Sequence, residues 1–376
     1  MKKEKESSKK LKILIVGPIK RRVASRVTAA RPRLVFDIAK GLVKRGHQVS
    51  LLGTGDSKIR GVKIIPVIPR QFVDMPAFEN EFTARTAFLT KQAKILENIG
   101  NDYDIIHNHT RPEFFCLFAG ERLKTPILTT MHAVFDKETD ETIALFKKHH
   151  IINISKAVAR SAKKTKVYKV VYNGIDTSLY KFQAKKGDYL LWLGRLGRAK
   201  DKKGKFIDAK GIKWAIKLAR ATNSKLKLAG NVEDIEFYNK DVKPYLSKNI
   251  KWVGPVTSEQ PLTKKQVAKL MGGAKAFLMT INWEEPFGLV MAEAMSTGTP
   301  VIGFDRGSVK ELVFNGKTGF VVNPKHGLNG LKKALAKIDS IKPEDCRKYT
   351  ENNFSQKTMI DNYEKTYLAL CQKTKK

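Results

Sequence analysis

The chain has 376 residues, and 72 lysines and arginines against 36 aspartates and glutamates give a net charge of +36 and an isoelectric point near 10.0. Its 42% hydrophobic residues fit a soluble globular protein long enough for two domains. The three cysteines, Cys116, Cys346 and Cys371, lack metal-ligand spacing, so neither a disulfide framework nor a zinc site is expected, and the reducing cytoplasm is the expected compartment.

The sequence predicts no export signal and no membrane span. Residues 11–17 form a first predicted strand, since Lys12 interrupts the apolar run and Lys20, Arg21 and Arg22 follow it. No apolar run reaches the roughly 18 residues that a span needs. The basic surface attracts anionic lipid, nucleic acid or phosphorylated substrates, and a general lysine bias explains the charge equally well. Membrane contact is therefore expected only as a peripheral one, at the inner face.

The first half of the chain alternates predicted strands and helices. Strands are predicted at residues 11–17, 47–53, 61–67, 103–109 and 126–132, and helices at 34–45 and 79–98. The segments 150–155 and 169–176 close the first half, and Asn173-Gly174 in the second is a turn signal. Gly46 suits the end of the first helix. Strand, helix and strand at this spacing form a βαβ unit, which predicts a parallel sheet.

A second alternation begins after a linker at residues 177–186. Strands are predicted at 189–195, 226–230, 250–254 and 276–279, with a helix at 212–221 and a last helix from residue 355. We therefore expect an α/β protein with two doubly wound domains, at residues 11–180 and 187–354. The segment 355–373 follows them.

The stretch 283–303 carries the strongest functional pattern. A buried strand precedes it, Pro286 suits a first helical turn, and Gly298 suits a helix end. Free backbone N–H groups at a helix N-terminus bind anions, and Gly288 leaves them accessible. Glu285 and Glu293 would lie about 12 Å apart along such a helix, on either side of a bound diphosphate. The alternative is that both glutamates are solvated helix residues.

The sequence runs from Glu285-Pro286-Phe287-Gly288-Leu289 to Glu293-Ala294-Met295 and continues at residues 298–302. It closely resembles the Glu-x7-Glu signature of family-4 glycosyltransferases. The resemblance implies the GT-B architecture, two Rossmann-like domains facing a cleft, with the last helix crossing back to the first domain. It implies retaining transfer from a nucleoside-diphosphate sugar, without a metal or another cofactor. It implies that Glu285 contacts the donor sugar and Glu293 the ribose.

Two cations match elements that hold the donor diphosphate in this family. Arg195 ends a predicted strand, and Lys210 precedes Gly211 at the start of the next helix. The chain has 72 lysines and arginines, so on frequency alone Arg195 and Lys210 would be ordinary surface cations. The resemblance favours a functional role for them instead. The intervening loop is long, and Lys200 within it is a second, weaker candidate. The backbone at Gly288 and Leu289, beside Phe287, completes the implied phosphate site, and Val256 of Gly254-Pro255-Val256 is expected near the nucleobase.

Three histidines end predicted strands of the first half. His132 matches a family position that approaches the donor sugar, although a lone histidine is more often structural. His107 and His109 are predicted to point in opposite directions, because side chains alternate along a strand. We expect them to be structural or to line the cleft, and no metal site is expected.

The first loop departs from the family pattern. Ala29 and Ala30 occupy the positions of a glycine pair, and alanine resists positive φ and close backbone approach. The loop also gathers basic residues: Lys20, Arg21, Arg22, Arg26, Arg31 and Arg33. We hypothesise that these cations, Arg31, Arg33 and Arg26 above all, hold a phosphorylated or anionic acceptor. A solvated basic loop explains them equally well.

The function that these observations favour is hexosyl transfer from a UDP- or GDP-type sugar to a hydroxyl of a glycan, lipid or small-molecule acceptor. One alternative is a nucleotide-sugar epimerase of the same architecture, which needs only the donor. The other is a basic anion- or nucleic-acid-binding protein on a degenerate transferase scaffold. The last is ranked lowest because Glu285, Arg195, Lys210 and His132 occur together with Glu293, so nucleic acid is not expected as a partner.

Overall fold

The computed structural model describes residues 9–25, 27, 29–257 and 259–373. The chain forms two compact units. The first comprises the residues up to Asn173 together with those from Gln356 onward, and the second runs from Gly174 to Ser355. Residues 174–186, which the sequence assigned to the end of the first domain and to the linker, therefore lie in the second unit.

The first unit is a parallel sheet flanked by helices. Its elements are β1 (Lys12–Val16), α1 (Ala30–Lys44), β2 (Gln48–Thr54), β3 (Val62–Ile68), α2 (Glu81–Ile99), β4 (Ile105–Asn108), α3 (Phe114–Gly120), β5 (Ile127–Met131), α4 (Lys137–Ile143), β6 (His150–Asn153), α5 (Lys156–Ser161) and β7 (Val167–Val170). The described strands are ordered β3-β2-β1-β4-β5-β6-β7. Strands β1, β4 and β5 are almost wholly buried, as continuous apolar runs covered on both faces should be. The strand order reverses at β1, which pairs with both β2 and β4.

The second unit repeats this plan. Its elements are β8 (Tyr189–Leu196), α6 (Ile212–Ala221), β9 (Lys225–Val232), α7 (Ile235–Asp241), β10 (Ile250–Trp252), α8 (Lys264–Gly272), β11 (Ala276–Met279), α9 (Leu289–Ser296), β12 (Val301–Phe304), α10 (Val309–Leu312), β13 (Gly319–Val322), α11 (Gly327–Ala336) and α12 (Pro343–Phe354). Its described strands are parallel and ordered β10-β9-β8-β11-β12-β13. The order reverses at β8, between β9 and β11.

The last helix, α13 (Gln356–Lys373), belongs to the first unit and packs on α1. Gly41 allows this contact, because a Cβ there would lie 1.9 Å from the Cδ1 of Ile360. Arg45, after the end of α1, forms ion pairs with Asp361 and Glu364 of α13. The helix therefore closes the core of a unit whose other elements lie about 180 residues earlier in the chain.

The predicted fold class, two doubly wound α/β halves, is confirmed. Helix 212–221 and strand 276–279 were predicted with the bounds that the structure has, and the segment 169–176, which was expected to close the first half, contributes only its first two residues to β7. The sequence also left α4, α5, α7, α8, α10, α11 and α12 unassigned. Among the described helices, none is both long and apolar enough to cross a membrane.

Candidate active site

The loop after β11 and the start of α9 differ from the sequence prediction. Helix α9 begins at Leu289, so Pro286 and Glu285 lie in the preceding loop and the predicted helical spacing of Glu285 and Glu293 is wrong. Gly288, at φ +78, precedes the helix, and a Cβ there would lie 2.6 Å from the Cε of Met291. No described side chain caps α9, and the Met291 N–H donates to the Gly288 carbonyl at 2.9 Å, so the N–H groups of Leu289 and Val290 remain available to an anion.

Glu285 is a buried carboxylate beside a lysine and a tryptophan. It is 8% exposed, and its Oε2 lies 2.8 Å from Lys210 Nζ and accepts a hydrogen bond from Trp283 Nε1 at 3.1 Å. Lys210 Nζ also lies over the Trp283 ring, 4.3 Å from its centroid. The solvated alternative for Glu285 is therefore wrong, and the structure brings a carboxylate and an ammonium together where β11 ends.

The segment before α6 positions Lys210. The Asp208 carboxylate accepts hydrogen bonds from the N–H groups of Ile212 and Lys213, which caps α6. Thr280 Oγ1, just after β11, donates to the carbonyl of Gly211 at 2.8 Å. Gly211 adopts φ +70, and a Cβ there would lie 1.6 Å from the carbonyl oxygen of Thr280. Lys210 is thus held on a backbone that contacts the neighbouring strand end directly.

The two other candidate cations have different surroundings. Arg195, near the end of β8, is exposed and lies 3.3 Å from Glu233. The backbone beside it approaches Lys210 closely, because a Cβ on Gly194 would lie 3.3 Å from the Cβ of Lys210. Lys200 is held instead by Glu236 of α7, at 2.9 Å, and lies over the ring of Phe206. The structure therefore brings Lys210, and not Lys200, next to Glu285.

Glu293 is also buried, at 6% exposure, in the middle of α9. The hydroxyl of Tyr180, itself almost fully buried, donates to Glu293 Oε1 at 2.6 Å. The solvated alternative is wrong for this glutamate too. Tyr180 was not predicted, because nothing in the sequence links residues 113 positions apart.

The remaining candidates of the second unit contribute mainly backbone. The Phe287 side chain is buried against Phe354, and the Phe287 carbonyl accepts a hydrogen bond from Ser308 Oγ at 2.7 Å. Leu289 is the first residue of α9 and is half-buried. Val256, beyond β10, is half-buried. Within the described residues, no group of three or more histidines, cysteines and carboxylates is arranged to hold a metal ion.

Three histidines of the first unit, His107, His109 and His132, form one cluster. Strand β4 ends at Asn108, so His109 lies beyond it, and the predicted opposite orientation of His107 and His109 is wrong: their ring centroids lie 3.9 Å apart. His109 Nδ1 lies 2.9 Å from Nε2 of His132, which follows β5. Burial and the nearby Arg31 guanidinium lower the pKa of His132 well below its usual value.

The basic loop before α1 contributes unequally. Arg31 lies in the first turn of α1, its buried Nε has no hydrogen-bond partner among the described residues, and burial lowers its pKa to about 10. Arg33 faces Asp37 at 4.0 Å, and Arg26 lies outside the described residues. Ala29, at φ −68, needs no glycine conformation. The part of the sequence-based objection that concerns positive φ therefore does not apply to Ala29, whereas the reduced access of a phosphate to the backbone stays a prediction.

Each half of the chain matches a known family model. Residues 32–179 match the model described as Glycosyltransferase Family 4, and residues 202–356 match the one described as Glycosyl transferases group 1. Together the two matches include the histidine cluster, Lys210 and both glutamates.

Relatives and solved structures resemble the chain over nearly its whole length. An uncharacterized glycosyltransferase of Methanocaldococcus jannaschii is 25% identical over 372 residues, with 86% of this chain and 91% of the relative covered. The N-acetyl-alpha-D-glucosaminyl L-malate synthase of Bacillus anthracis is 23% identical over 382 residues, with 90% and 93% covered. A crystal structure of an Anabaena protein in complex with UDP and glucose has a TM-score of 0.68 at 18% identity, covering 96% of this chain and all of that one.

Substitution of Gly211 tests how Lys210 is positioned. We expect Gly211→Ala to lower the free energy of unfolding of the second unit by about 2–5 kcal/mol, because it adds a backbone clash to the cost of positive φ. All four tryptophans lie in this unit, so tryptophan fluorescence during urea unfolding measures it. Gly204→Ala is the control, with φ +73 and open space around the added Cβ. Equal losses in the two variants would contradict the contact with Thr280.

Proposed function

The chain belongs to glycosyltransferase family 4 and has the GT-B fold, and on that premise we propose that it transfers a hexosyl unit from a UDP- or GDP-type sugar to an acceptor hydroxyl with retention of configuration. The acceptor is a glycan, a lipid or a small molecule. The observation that carries the proposal is the Glu285–Lys210 pair, 2.8 Å apart, at the strand ends beside the uncapped start of α9.

The donor is proposed to bind along α9. Parallel α/β sheets bind ligands at the carboxyl ends of their strands where the strand order reverses, and Arg195, Lys210 and Glu285 lie near those ends of β8 and β11. The first-turn N–H groups of Leu289 and its neighbour take the diphosphate, assisted by Arg195 and Lys210. Glu285 accepts hydrogen bonds from sugar hydroxyls, Glu293 accepts them from the ribose, and Val256 lies near the base.

Transfer is proposed to proceed on one face of the sugar, without a metal. The bond between the anomeric carbon and the diphosphate oxygen breaks, the acceptor oxygen bonds to the same face, and its proton passes to the leaving oxygen. Charge grows on the diphosphate during this step. Arg195, Lys210 and the α9 amides stabilise it, which is where fixed cations and N–H donors contribute most. His132 contacts a sugar hydroxyl.

The acceptor is proposed to be anionic. Arg31 is partly desolvated, its Nε lacks a described partner, and α1 has no acidic residue in its first turn and no side-chain cap. The buried Glu113 carboxylate lies near Arg31 without accepting a hydrogen bond from its Nε, and an unpaired buried N–H is costly, so a carboxylate or phosphate of the acceptor is a natural partner for it. The name of the Bacillus anthracis relative includes L-malate, a dicarboxylate.

Substitution of Glu285 tests the assignment as an enzyme. Glu285→Gln keeps the shape of the side chain and removes its charge, so we expect kcat to fall at least about a hundredfold, because its contacts strengthen as the sugar becomes cationic. The measurement is release of the nucleoside diphosphate together with formation of a glycosylated product. Glu284→Gln, at an exposed neighbouring carboxylate, is the control. Undiminished transfer in Glu285→Gln would refute the assigned role.

Thermal shifts with UDP, GDP, ADP and their sugar conjugates, without added metal, identify the donor. A ligand present at 100 times its Kd stabilises the folded protein by about 2.7 kcal/mol, so one base should raise the Tm clearly. We expect UDP to do so, since the Anabaena structure contains it. Glu293→Gln should reduce the shift without lowering the Tm of the free protein much, because an amide oxygen still accepts from Tyr180. No shift with any nucleotide would contradict the proposed donor site.

Arg31 tests the acceptor class. We expect L-malate or a phosphorylated sugar alcohol to stimulate donor turnover, and Arg31→Gln to raise the acceptor KM at least tenfold while the donor KM stays unchanged, because one charged hydrogen bond is worth about 1.5–3 kcal/mol. Arg33→Gln is the matched control, since Arg33 already faces Asp37. Turnover stimulated only by neutral acceptors, or an unaltered KM in Arg31→Gln, would exclude the anionic class.

A further inference from the structure

A continuous chain of hydrogen bonds runs through the first unit from α13 to His132. The Tyr367 hydroxyl lies 2.7 Å from His107 Nδ1, which is also 3.2 Å from His109 Nε2. His109 Nδ1 lies 2.9 Å from His132 Nε2, and His107 Nε2 lies 2.7 Å from Thr130 Oγ1. His107 and His109 have no exposed surface, whereas His132 is half-buried.

All three imidazoles are neutral near pH 7. Burial lowers the pKa of His107 to about 3, and burial together with the neighbouring histidines and Arg31 lowers that of His109 well below its usual value. Arg31 and Arg111 also disfavour a proton on His132. The buried Glu113 lies near Arg31 and has a raised pKa. A neutral imidazole carries one N–H and one lone pair. The protonation state of one ring nitrogen in this chain of hydrogen bonds therefore determines that of the other ring nitrogens.

Tyr367 fixes the direction of the chain. Burial raises its pKa well above the usual value, so its hydroxyl keeps its proton. Among the described residues, the only hydrogen-bond partner of that hydroxyl is His107 Nδ1. A buried hydroxyl proton needs an acceptor, and His107 Nδ1 must therefore be the bare nitrogen. The reverse direction would leave the Tyr367 proton without an acceptor.

The direction passes from ring to ring. With Nδ1 bare, His107 donates through Nε2–H to Thr130. Two bare nitrogens 3.2 Å apart would repel, so His109 carries its proton on Nε2 and shares the lone pair of His107 Nδ1 with the Tyr367 hydroxyl. His109 Nδ1 is then bare and accepts the Nε2–H of His132. We infer that Tyr367, His107 and His109 are positioning residues that hold His132 in its Nε2–H tautomer, so that its Nδ1 is a hydrogen-bond acceptor. Nδ1 of His132 has no hydrogen-bond partner among the described residues.

The fixed tautomer selects what His132 recognises. A bare Nδ1 accepts a hydrogen bond from a hydroxyl but cannot donate one to a carbonyl, carboxylate or phosphate oxygen. This part rests on the proposed function: His132 would accept from a donor-sugar hydroxyl, whereas Arg31 supplies the donors that an anionic acceptor needs. The two neighbouring side chains therefore have opposite hydrogen-bonding roles.

Nitrogen-15 NMR of the free protein tests the tautomer without any substrate. The protein is labelled at its seven histidines, and two-bond ¹H–¹⁵N correlations distinguish a protonated from a bare ring nitrogen. Loss of a peak set in His132→Gln assigns His132. We expect a bare Nδ1 and a protonated Nε2, unchanged between pH 6 and 8. A protonated Nδ1 on His132 would overturn the inference, whatever the catalytic activity is.

Two tyrosine variants separate the hydroxyl from the packing. Tyr367→Phe removes the donor, so both tautomers of His132 should become populated and kcat/KM should fall about twofold, the share of molecules in the other tautomer when the two are about equally populated. Tyr363→Phe is the matched control: Tyr363 lies one turn earlier on α13 and stacks on Tyr367, and its hydroxyl lies 3.4 Å from Thr130 Oγ1. It should leave the tautomer and the kinetics unchanged.

The outcomes distinguish this inference from the proposed function. The expected tautomer with no transfer activity in the wild-type protein would refute the proposed function and leave the tautomer assignment standing. Transfer activity with an unshifted His132 tautomer in Tyr367→Phe would refute the role of Tyr367 alone. Equal effects of Tyr363→Phe and Tyr367→Phe would indicate packing and would also refute the inference.

Discussion

Parallel strand order is the constraint on which both candidate sites depend. In each unit the chain starts in the middle of the sheet, extends it to one side and then to the other, so helices leave the carboxyl ends of the central strands in opposite directions. Those ends are consequently left uncovered. In the first unit this position holds the histidine cluster and Arg31, and in the second it holds Lys210, Glu285 and the start of α9.

The buried charged and polar groups at these positions lower the stability of the folded protein. Glu285 and Lys210 are largely removed from water, and the desolvation of such a pair offsets most of its attraction. The unpaired Nε of Arg31 and the unpaired Oε1 of Glu113 are buried polar atoms without described partners, which folded proteins generally avoid. Such features persist where a ligand completes them, which supports the binding roles that we propose for these residues.

Local sequence patterns predicted most of the framework and few of the contacts. Helix 212–221 and strand 276–279 were assigned correctly because apolar periodicity sets them. The start of α9 was misplaced, since Pro286 is a common first helical residue while the left-handed Gly288 determines where this helix begins. His109 was misjudged because strand alternation fails one residue beyond the strand end. The bonds of Tyr180 with Glu293, and of Tyr367 with His107, join residues 113 and 260 positions apart, and no local pattern reveals them.

The return of α13 to the first unit also affects the order in which the protein assembles on the ribosome. Residues 174–355 are synthesised before α13. At about 5–20 residues per second, the synthesis of this segment takes roughly 10–40 s. During that interval the nascent first unit lacks Tyr367, and Nδ1 of His107 has no hydroxyl beside it. The second unit, whose chain is continuous, can fold meanwhile. The histidine cluster is therefore completed only after α13 has left the ribosome, and a nascent chain without α13 contains no finished first unit.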